Sequence, residues 1–379
     1  MNRLFLLCFG AGGRLLLGLL LLALSACSSG PRPSTPTAGA SENQAALRHP
    51  GSRWTLASWS ELPGFETDPL HEAWNAWLKS CERPGPNFAA LCSEIRLLSL
   101  GTGQEQRDWM RAHLQPYRVE ALQGEPQGLL TGYYEPQIDA SRQQREGFSF
   151  PLYRYPAQAG AVLKSGKPWY SRQQIDTLPE ARAALRGHEL VWLAHPLDVL
   201  VLQIQGSARV HVLESDGSQR WSRLSYAGNN NQPYQSPGRW LLEQRAVTDA
   251  SWPGIKAWLA QNPQRQQELL WSNPRVVFFR EQALGEQDAA LGPNGAQGVA
   301  LTPGRSIAVD PLSIPYGTPV WLASAGPVTS LQRLVLAQDT GSAITGALRA
   351  DYFAGWGAQA GELAGRLKQP LQLWVLWPR

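Results

Sequence analysis

The sequence predicts a turn-rich, mainly β protein with two domains. Of its 379 residues, 36 are glycine and 29 are proline, which exceeds average usage, and only 17% are charged. A hydrophobic fraction of 43% in a chain of this length is enough for two separate cores. The formal net charge of +4 is small for this length, so the composition gives no support for nucleic-acid binding. Sixteen tryptophans mildly favour a carbohydrate ligand, because indole faces stack on sugar rings as well as filling cores.

The N-terminus has the pattern of an export signal. A short basic start precedes an apolar segment, residues 15–24, that is too short to be assigned as a membrane span. The segment LSA at residues 24–26, followed by Cys27, resembles the lipobox of bacterial lipoproteins. In such proteins the bond before the cysteine is cut and the cysteine is lipidated. We therefore predict a signal peptide over residues 1–26 and lipidation of Cys27; the alternatives are an ordinary cleaved signal peptide and an uncleaved anchor.

The residues after Cys27 predict where the protein is held. Ser28, rather than aspartate, follows the cysteine, and by the same resemblance this favours the outer membrane, on its periplasmic face. Residues 27–50 are rich in Ser, Pro, Gly, Ala and Thr, and they cannot bury enough apolar surface to fold. We predict that they form a flexible tether.

Two cysteines remain in the mature chain, Cys81 and Cys92. In an oxidising compartment, a disulfide closing a small loop and two separate buried thiols explain them equally well. The six histidines show no ligand spacing near these cysteines, so no metal site is predicted.

The first folded segment is predicted to be helical. Asp68-Pro69 can cap a helix that begins at Leu70. Its apolar residues recur at helical spacing and include two tryptophans, Trp74 and Trp77, which we assign to packing rather than to sugar binding. Further helices are predicted over residues 106–115, 238–245 and 252–261.

From Gly128 the pattern changes to strands. Residues 129–136, LLTGYYEP, place two tyrosines and a carboxylate in an apolar segment, which a plain strand ending at proline also explains. Residues 197–208, LDVLVLQIQGSA, predict a strand in which period-two alternation puts Gln203 and Gln205 on one face. Residues 226–234, YAGNNNQPY, predict a loop that suits sugar recognition and is equally ordinary for a turn.

The C-terminal part of the chain is predicted to consist of strands from residue 276 onward, and it contains three aspartates of interest. Asp310 follows an apolar strand, and residues 334–337 predict a buried strand that ends at Asp339. A turn and a short extended piece at residues 343–346 would lead to Asp351, which lies among aromatic residues. Because Asp339 would end a buried strand and Asp351 would lie beside aromatic side chains, the pKa values of the two carboxyl groups can differ. Glycosidic-bond cleavage needs an acid that stays protonated near neutral pH. Taken singly, either aspartate is more commonly a turn cap or a solvated side chain.

Six segments follow the lipobox in an order that resembles the membrane-bound lytic murein transglycosylase A family. The segments are TGYYEP (131–136), LQIQGSARV (202–210), YAGNNNQPY (226–234), VVFF (276–279), SIAVDPLSIPYGTPVWL (306–322) and AQDTGSAITGALRADYFAGWG (337–357). The resemblance covers nearly all of the chain after the tether. It implies a double-psi β-barrel domain from residues 51–135 and 276–379, a smaller inserted β domain over residues 136–275, and a deep groove between the two.

The resemblance also implies an activity and its residues. Asp351 would be the sole catalytic acid, supported by Asp339 and Asp310, in a lytic transglycosylase that needs neither metal nor cofactor. Its substrate would be the β-1,4 bond between N-acetylmuramic acid and N-acetylglucosamine in peptidoglycan glycan strands, and its products would carry 1,6-anhydro ends. The residues expected to bind the glycan are Thr131, Tyr133, Tyr134, Glu135, Gln203, Gln205 and Tyr226. Ser342 and Thr345 depart from the glycine and lysine common in the family, which leaves the substrate contacts there open.

Two functions from other classes remain open from the sequence. A water-using endoglycosidase on a similar barrel would release reducing ends instead of anhydro ends. A glycan-binding lipoprotein without catalysis would bind peptidoglycan and release nothing.

Overall fold

The structure, a computed structural model, describes residues 46–379. The predicted signal peptide, Cys27 and most of the predicted tether lie outside the described residues. The end of the tether needs a correction, since residues 47–49 pair with residues 52–54 as a strand. They do so because Leu47 packs against a hydrophobic core. No helix within residues 46–379 is long and apolar enough to cross a membrane.

The regular elements are short. The strands are β1 (Leu47–His49), β2 (Ser52–Leu56), β3 (Leu114–Glu120), β4 (Gly128–Glu135), β5 (Gln137–Ser141), β6 (Phe150–Tyr153), β7 (Glu189–Leu193), β8 (Ser207–Leu213), β9 (Gln219–Asn229), β10 (Val277–Ala283), β11 (Ser306–Val309), β12 (Pro319–Ala325), β13 (Ser330–Asp339), β14 (Arg349–Trp356) and β15 (Lys368–Pro378). The α-helices are α1 (Leu70–Ser80), α2 (Cys92–Leu97), α3 (Gly103–His113), α4 (Gly160–Lys164), α5 (Arg172–Thr177), α6 (Pro179–Leu185), α7 (Pro196–Gln205), α8 (Pro237–Glu243), α9 (Trp252–Gln261), α10 (Gln266–Trp271), α11 (Glu286–Ala289) and α12 (Gly357–Arg366).

The first sheet closes into a barrel. Strands β4, β14, β11, β13, β12 and β15 follow one another around it, and β15 pairs with β4 over residues 368–371 to complete the ring. Strands β3, β2 and β1 extend the sheet outward from β15. Two of the pairings, β4 with β14 and β11 with β13, are parallel, and the others in the ring are antiparallel. The predicted mainly β barrel fold is confirmed.

Helix α1 covers one side of the barrel with the predicted apolar face. Trp74 and Trp77 are each 1% exposed and pack against Trp109 of α3, so their assignment to packing is correct. Asp68 does not cap the helix. Its carboxylate instead holds the buried Arg305 guanidinium with two hydrogen bonds of 2.8 and 2.9 Å.

The two cysteines of the mature chain form a disulfide. Cys81 directly follows α1 and Cys92 begins α2, and their Cα atoms are 5.5 Å apart. Of the two possibilities that the sequence left open, the disulfide is therefore the one present.

The second sheet is formed by the segment inserted between β4 and the later barrel strands. Its strand order is β10-β9-β8-β5-β7-β6, and helices α4 to α10 lie in the same stretch of chain. Residue 276 is therefore not where the barrel resumes, because β10 pairs antiparallel with β9 and places Val277 and Phe279 in the second sheet's core. The insertion extends to Ala283.

Residues 197–205 form a helix, so the predicted strand is wrong there. Pro196 occupies the first helical turn, where its missing N–H costs nothing, and Gly206 ends the helix with φ of 78°. The helix lies between two apolar clusters, with Leu200 in one and Leu202 in the other. Because both sides are buried, the segment lacks the one-sided periodicity that distinguishes a helix from a strand.

Candidate active site

Strand pairing brings Asp339 and Asp351 close together. Asp351 lies within β14, opposite Ala308 of β11 on one side and Thr131 of β4 on the other. The same Ala308 is paired with Asp339 at the end of β13. The two carboxylates are thus separated by a single strand, although they are twelve positions apart in the sequence.

The carboxyl group of Asp351 is half-buried and held from one side. The hydroxyl of Thr131 donates a hydrogen bond of 2.5 Å to its Oδ1 atom, and Arg349 donates one of 2.8 Å to the Thr131 oxygen. Burial raises the pKa of Asp351, and the Thr131 hydrogen bond and the Arg349 charge oppose this only in part. Asp351 is therefore a carboxyl that retains its proton at a higher pH than an exposed aspartate.

Asp339 is held through both of its oxygens. The Tyr133 hydroxyl donates to Oδ2 at 2.9 Å, and the backbone N–H of Ala296 donates to Oδ1 at 2.9 Å. The pKa of Asp339 is raised to about 6, first by burial and in smaller part by the charge of Asp351, while the hydrogen bonds from Thr340, Tyr133 and Ala296 act to lower it. Thr131 and Tyr133 are two positions apart in β4, so their side chains lie on the same face of the strand. From that face, each donates a hydrogen bond to one of the two aspartates.

Asp310 supports the loop that leads into β14. Its Oδ1 accepts the backbone N–H of Leu312 at 2.9 Å, and its Oδ2 accepts that of Gly346 at 2.7 Å. Residues 343–346 were predicted to be extended, but no strand forms there. A turn lies at residues 342–343, and the chain bends at Gly346, which adopts φ of 95° and donates its N–H to Asp310. Asp310 thus fixes backbone rather than contacting Asp351.

Glu135 is fully buried and cannot contact a ligand, so the predicted substrate contact at this residue is wrong. Its carboxylate pairs with Arg209 and Arg223 of the second sheet, each at 2.7 Å. The Arg209 guanidinium also lies 3.9 Å above the ring of Trp356, at the end of β14. We call Glu135, Arg209, Arg223 and Trp356 the Glu135 cluster. It joins the ends of β4 and β14 to the second sheet.

The two glutamines do not share a face. Positions 203 and 205 lie about 200° apart around a helix, which puts the side chains on opposite sides of α7. Gln203 is 7% exposed and accepts a hydrogen bond from Arg172 inside the insertion. Gln205 instead accepts from the backbone N–H of Tyr134 at 3.0 Å. Only Gln205 therefore contacts the strand that carries Thr131.

The predicted tyrosines have different surroundings. Tyr134 is half-buried, and burial raises the pKa of its hydroxyl. Tyr226 is 47% exposed, and its hydroxyl accepts a hydrogen bond from Asn229 rather than meeting the aspartate pair.

Three residues near the aspartates were missed as site residues. Burial and then the charge of Asp351 raise the pKa of Tyr234, so this loop of the insertion lies close to the barrel's aspartate. Burial and the charges of Asp339 and Asp310 raise the pKa of Tyr316, although a hydrogen bond between Tyr316 and Thr340 opposes this. Arg349 could have been found by period-two alternation, since it precedes Asp351 by two positions in a strand.

Comparisons with known proteins agree with these features. A family model described as the MltA specific insert domain matches residues 129–280, and a 3D domain model matches residues 305–377, which include all three aspartates. The membrane-bound lytic murein transglycosylase A of Vibrio cholerae is 32% identical over 282 residues, covering 70% of this chain and 71% of that protein.

Solved structures show the same architecture. The lytic transglycosylase LtgG of Burkholderia pseudomallei is 41% identical with a TM-score of 0.58, covering 88% of this chain and 99% of that one. MltA from Neisseria gonorrhoeae is 28% identical with a TM-score of 0.71, covering 88% of this chain and 94% of that one. Together with the aspartate pair of the barrel, these similarities show that the chain belongs to the membrane-bound lytic murein transglycosylase A family.

Proposed function

We propose that this protein is a lytic transglycosylase. It cleaves the β-1,4 bond between N-acetylmuramic acid and N-acetylglucosamine in peptidoglycan and leaves 1,6-anhydromuramic acid ends. The observation that carries the proposal is Asp351, a half-buried carboxyl of raised pKa that is held through one oxygen by Thr131 and lies near a second carboxyl. The family to which the chain belongs supports peptidoglycan as the substrate.

One carboxyl group can serve both halves of this reaction. Protonated Asp351 gives its proton to the glycosidic oxygen, which leaves with the electron pair of its bond to C1. The resulting carboxylate takes the proton of the muramic acid's own 6-hydroxyl as that oxygen bonds to C1. Asp351 is then protonated again, the product carries a 1,6-anhydro ring, and no water is consumed. A raised pKa suits this cycle, because the group must hold a proton at its start.

Asp339 is suited to electrostatic support rather than to proton transfer. Positive charge develops at C1 when the glycosidic bond breaks, and a nearby carboxylate stabilises it. Each oxygen of Asp339 accepts a hydrogen bond, from Tyr133 and from Ala296, and these bonds hold the carboxylate in place. A water-using endoglycosidase would instead need a second carboxyl as base or nucleophile, and its products would carry reducing ends.

Digestion of peptidoglycan sacculi by the purified protein tests the proposal. We expect soluble fragments whose muramic acid ends are 1,6-anhydro, and mass analysis distinguishes these from reducing ends by the mass of one water. Reducing ends would identify a hydrolase. Binding to sacculi without any soluble product would identify a glycan-binding lipoprotein.

We also infer that lipid on Cys27 holds the protein at the periplasmic face of the outer membrane. The lipobox and the relatives' description as membrane-bound support this inference. The variant Cys27→Ala should move to the soluble fraction while its activity per molecule on sacculi stays the same, because the anchor is separate from the fold. Membrane fractionation with quantitative blotting measures the change.

Cys8→Ala is the matched control, since Cys8 lies within the predicted signal peptide and should be lost on processing. That variant should remain with the membranes. If Cys27→Ala still sedimented with outer membranes after a high-salt wash, lipidation would not be the main anchor.

A further inference from the structure

Arg349 is a fixed hydrogen-bond donor beside the catalytic carboxyl. It precedes Asp351 by two positions in β14, so both side chains leave the same face of the strand. Its Nη1 atom donates to the backbone oxygen of Ala350 at 2.7 Å, and its Nη2 atom donates to Thr131 Oγ1 at 2.8 Å. The guanidinium is therefore held on two sides, with one nitrogen directed at the hydroxyl that contacts Asp351.

This arrangement determines the direction of the Thr131 hydroxyl. A guanidinium group has only donors, so the Thr131 oxygen must accept the hydrogen bond from Arg349. The hydrogen of the Thr131 hydroxyl is then available for Asp351 Oδ1, which lies 2.5 Å away. The chain of hydrogen bonds runs from Arg349 through Thr131 to Asp351.

The two oxygens of Asp351 are consequently not equivalent. Within residues 46–379, Oδ1 accepts from Thr131, and no protein group donates to Oδ2. A proton on Oδ1 would remove the acceptor of the Thr131 hydroxyl hydrogen, and no other acceptor for that hydrogen is found among these residues. A proton on Oδ2 keeps the Thr131–Oδ1 hydrogen bond, and Oδ2 is not among the buried oxygens that lack a partner, so its proton is accessible to solvent or substrate.

We propose that Arg349 is a positioning residue that directs the Thr131 hydroxyl and thereby confines the transferable proton of Asp351 to Oδ2. This rests on the proposed function, in which that proton passes to the glycosidic oxygen while the C1–oxygen bond breaks. Oδ2 then takes up the 6-hydroxyl proton as the new C1–oxygen bond forms. Every turnover would begin with the proton on the oxygen that no protein group blocks.

Arg349 also carries a charge, and that effect must be separated from the hydrogen bond. The charged or titratable groups facing Asp351 are Arg349 of β14, Tyr133 of β4, Asp339 of β13 and Tyr234 of the loop after β9. The Arg349 cation lowers the pKa of Asp351, so its removal should raise that pKa. A loss of charge alone would shift the pH profile without changing which oxygen holds the proton.

Three substitutions at Arg349 separate the two effects. Arg349→Met removes both donor and charge, Arg349→Gln keeps a donor without charge, and Arg349→Lys keeps both. We expect Arg349→Met to lower kcat for anhydromuropeptide release about tenfold, the order of one misdirected hydrogen bond. Arg349→Gln should have a kcat close to that of the unsubstituted protein. The alkaline limb of its pH profile should still move to higher pH, as in Arg349→Met, because both variants lack the charge. Arg349→Lys should resemble the unsubstituted protein in both respects.

Arg333→Met is the matched control. Arg333 is a half-buried arginine of the same barrel, and its guanidinium donates to the hydroxyl of Tyr352 at 3.0 Å. This variant should not change kcat or the pH profile. Equal losses of kcat in Arg349→Gln and Arg349→Met, with both variants folded by thermal melting, would overturn the proposal.

Neutron diffraction supplies a readout that does not depend on activity. In crystals kept below the pKa of Asp351, the deuteron should lie on Oδ2, and the Thr131 deuteron should point at Oδ1. A deuteron on Oδ1 would overturn the proposal even if the enzyme were active. Failure of the unsubstituted protein to form anhydro ends would instead overturn the proposed function and leave the proton's position measurable.

Discussion

Asp351→Asn should lose the release of 1,6-anhydromuropeptides almost completely while keeping its fold. The amide has the shape of the carboxyl, and its oxygen can still accept the Thr131 hydrogen bond. It can neither protonate the glycosidic oxygen nor accept the 6-hydroxyl proton. Loss of general acid–base catalysis costs about 10²–10⁴-fold in rate, and one group serves both steps here, so we expect at least the upper end of that range. Product analysis by mass spectrometry from pH 4 to 8 measures the loss.

Asp339→Asn is the matched control for this prediction. It should lose less activity, because Asp339 acts through its charge and not by proton transfer. The pKa of Asp339 is raised to about 6, so its carboxylate forms as pH rises through that value. Activity that depends on the carboxylate should rise over the same range, and this acid limb should disappear in Asp339→Asn. A folded Asp351→Asn with near-normal turnover would contradict our assignment, and complete loss only in Asp339→Asn would move the acid there.

Glu135→Gln should have the largest effect on stability. The substitution leaves Arg209 and Arg223 buried without a carboxylate, their side chains being 4% and 8% exposed. Breaking a buried ion pair by removing one partner costs about 3–5 kcal/mol, because the remaining charge is left uncompensated. Urea unfolding followed by tryptophan fluorescence measures this loss in the free energy of unfolding.

Glu243→Gln is the comparison for an exposed pair. Glu243 binds Arg239 at 2.8 Å on the surface of α8, where both side chains are exposed, and its loss should cost at most about 1 kcal/mol. If Glu135→Gln weakened glycan binding without changing the unfolding curve, Glu135 would be a substrate contact, as the sequence first suggested.

The sequence predicted those elements whose pattern is local. Residues 334–337 form a continuous apolar run that ends at a polar residue, which is typical of a buried strand, and β13 ends at Asp339 as expected. The apolar face of α1 was also visible, because only one side of that helix is buried. Helix α7 was mistaken for a strand since both of its sides are buried and its pattern carries no helical period.

The role of Glu135 could not be predicted from its neighbours in sequence. Its environment depends on two arginines, 74 and 88 residues further along the chain, that belong to the other sheet. A carboxylate after two tyrosines looks the same in sequence whether it meets solvent, ligand or buried cations. Only the pairing of β5 with β8, and of β8 with β9, brings those arginines to the end of β4.

The Glu135 cluster also determines whether the second sheet can be separated from the barrel. The chain leaves the barrel at Glu135 and returns to it through the segment that contains Leu291. Arg209 contacts both points: it donates to the Glu135 carboxylate at 2.7 Å and to the backbone oxygen of Leu291 at 2.9 Å. The two crossing points are therefore neighbours, and a barrel can gain or lose such an insertion there without rerouting its own strands. A barrel from which residues 136–283 had been deleted would still carry Glu135, now without its arginines. Host and insertion are topologically separable, but they share one set of buried charges, so neither can be removed without leaving the other with an uncompensated charge.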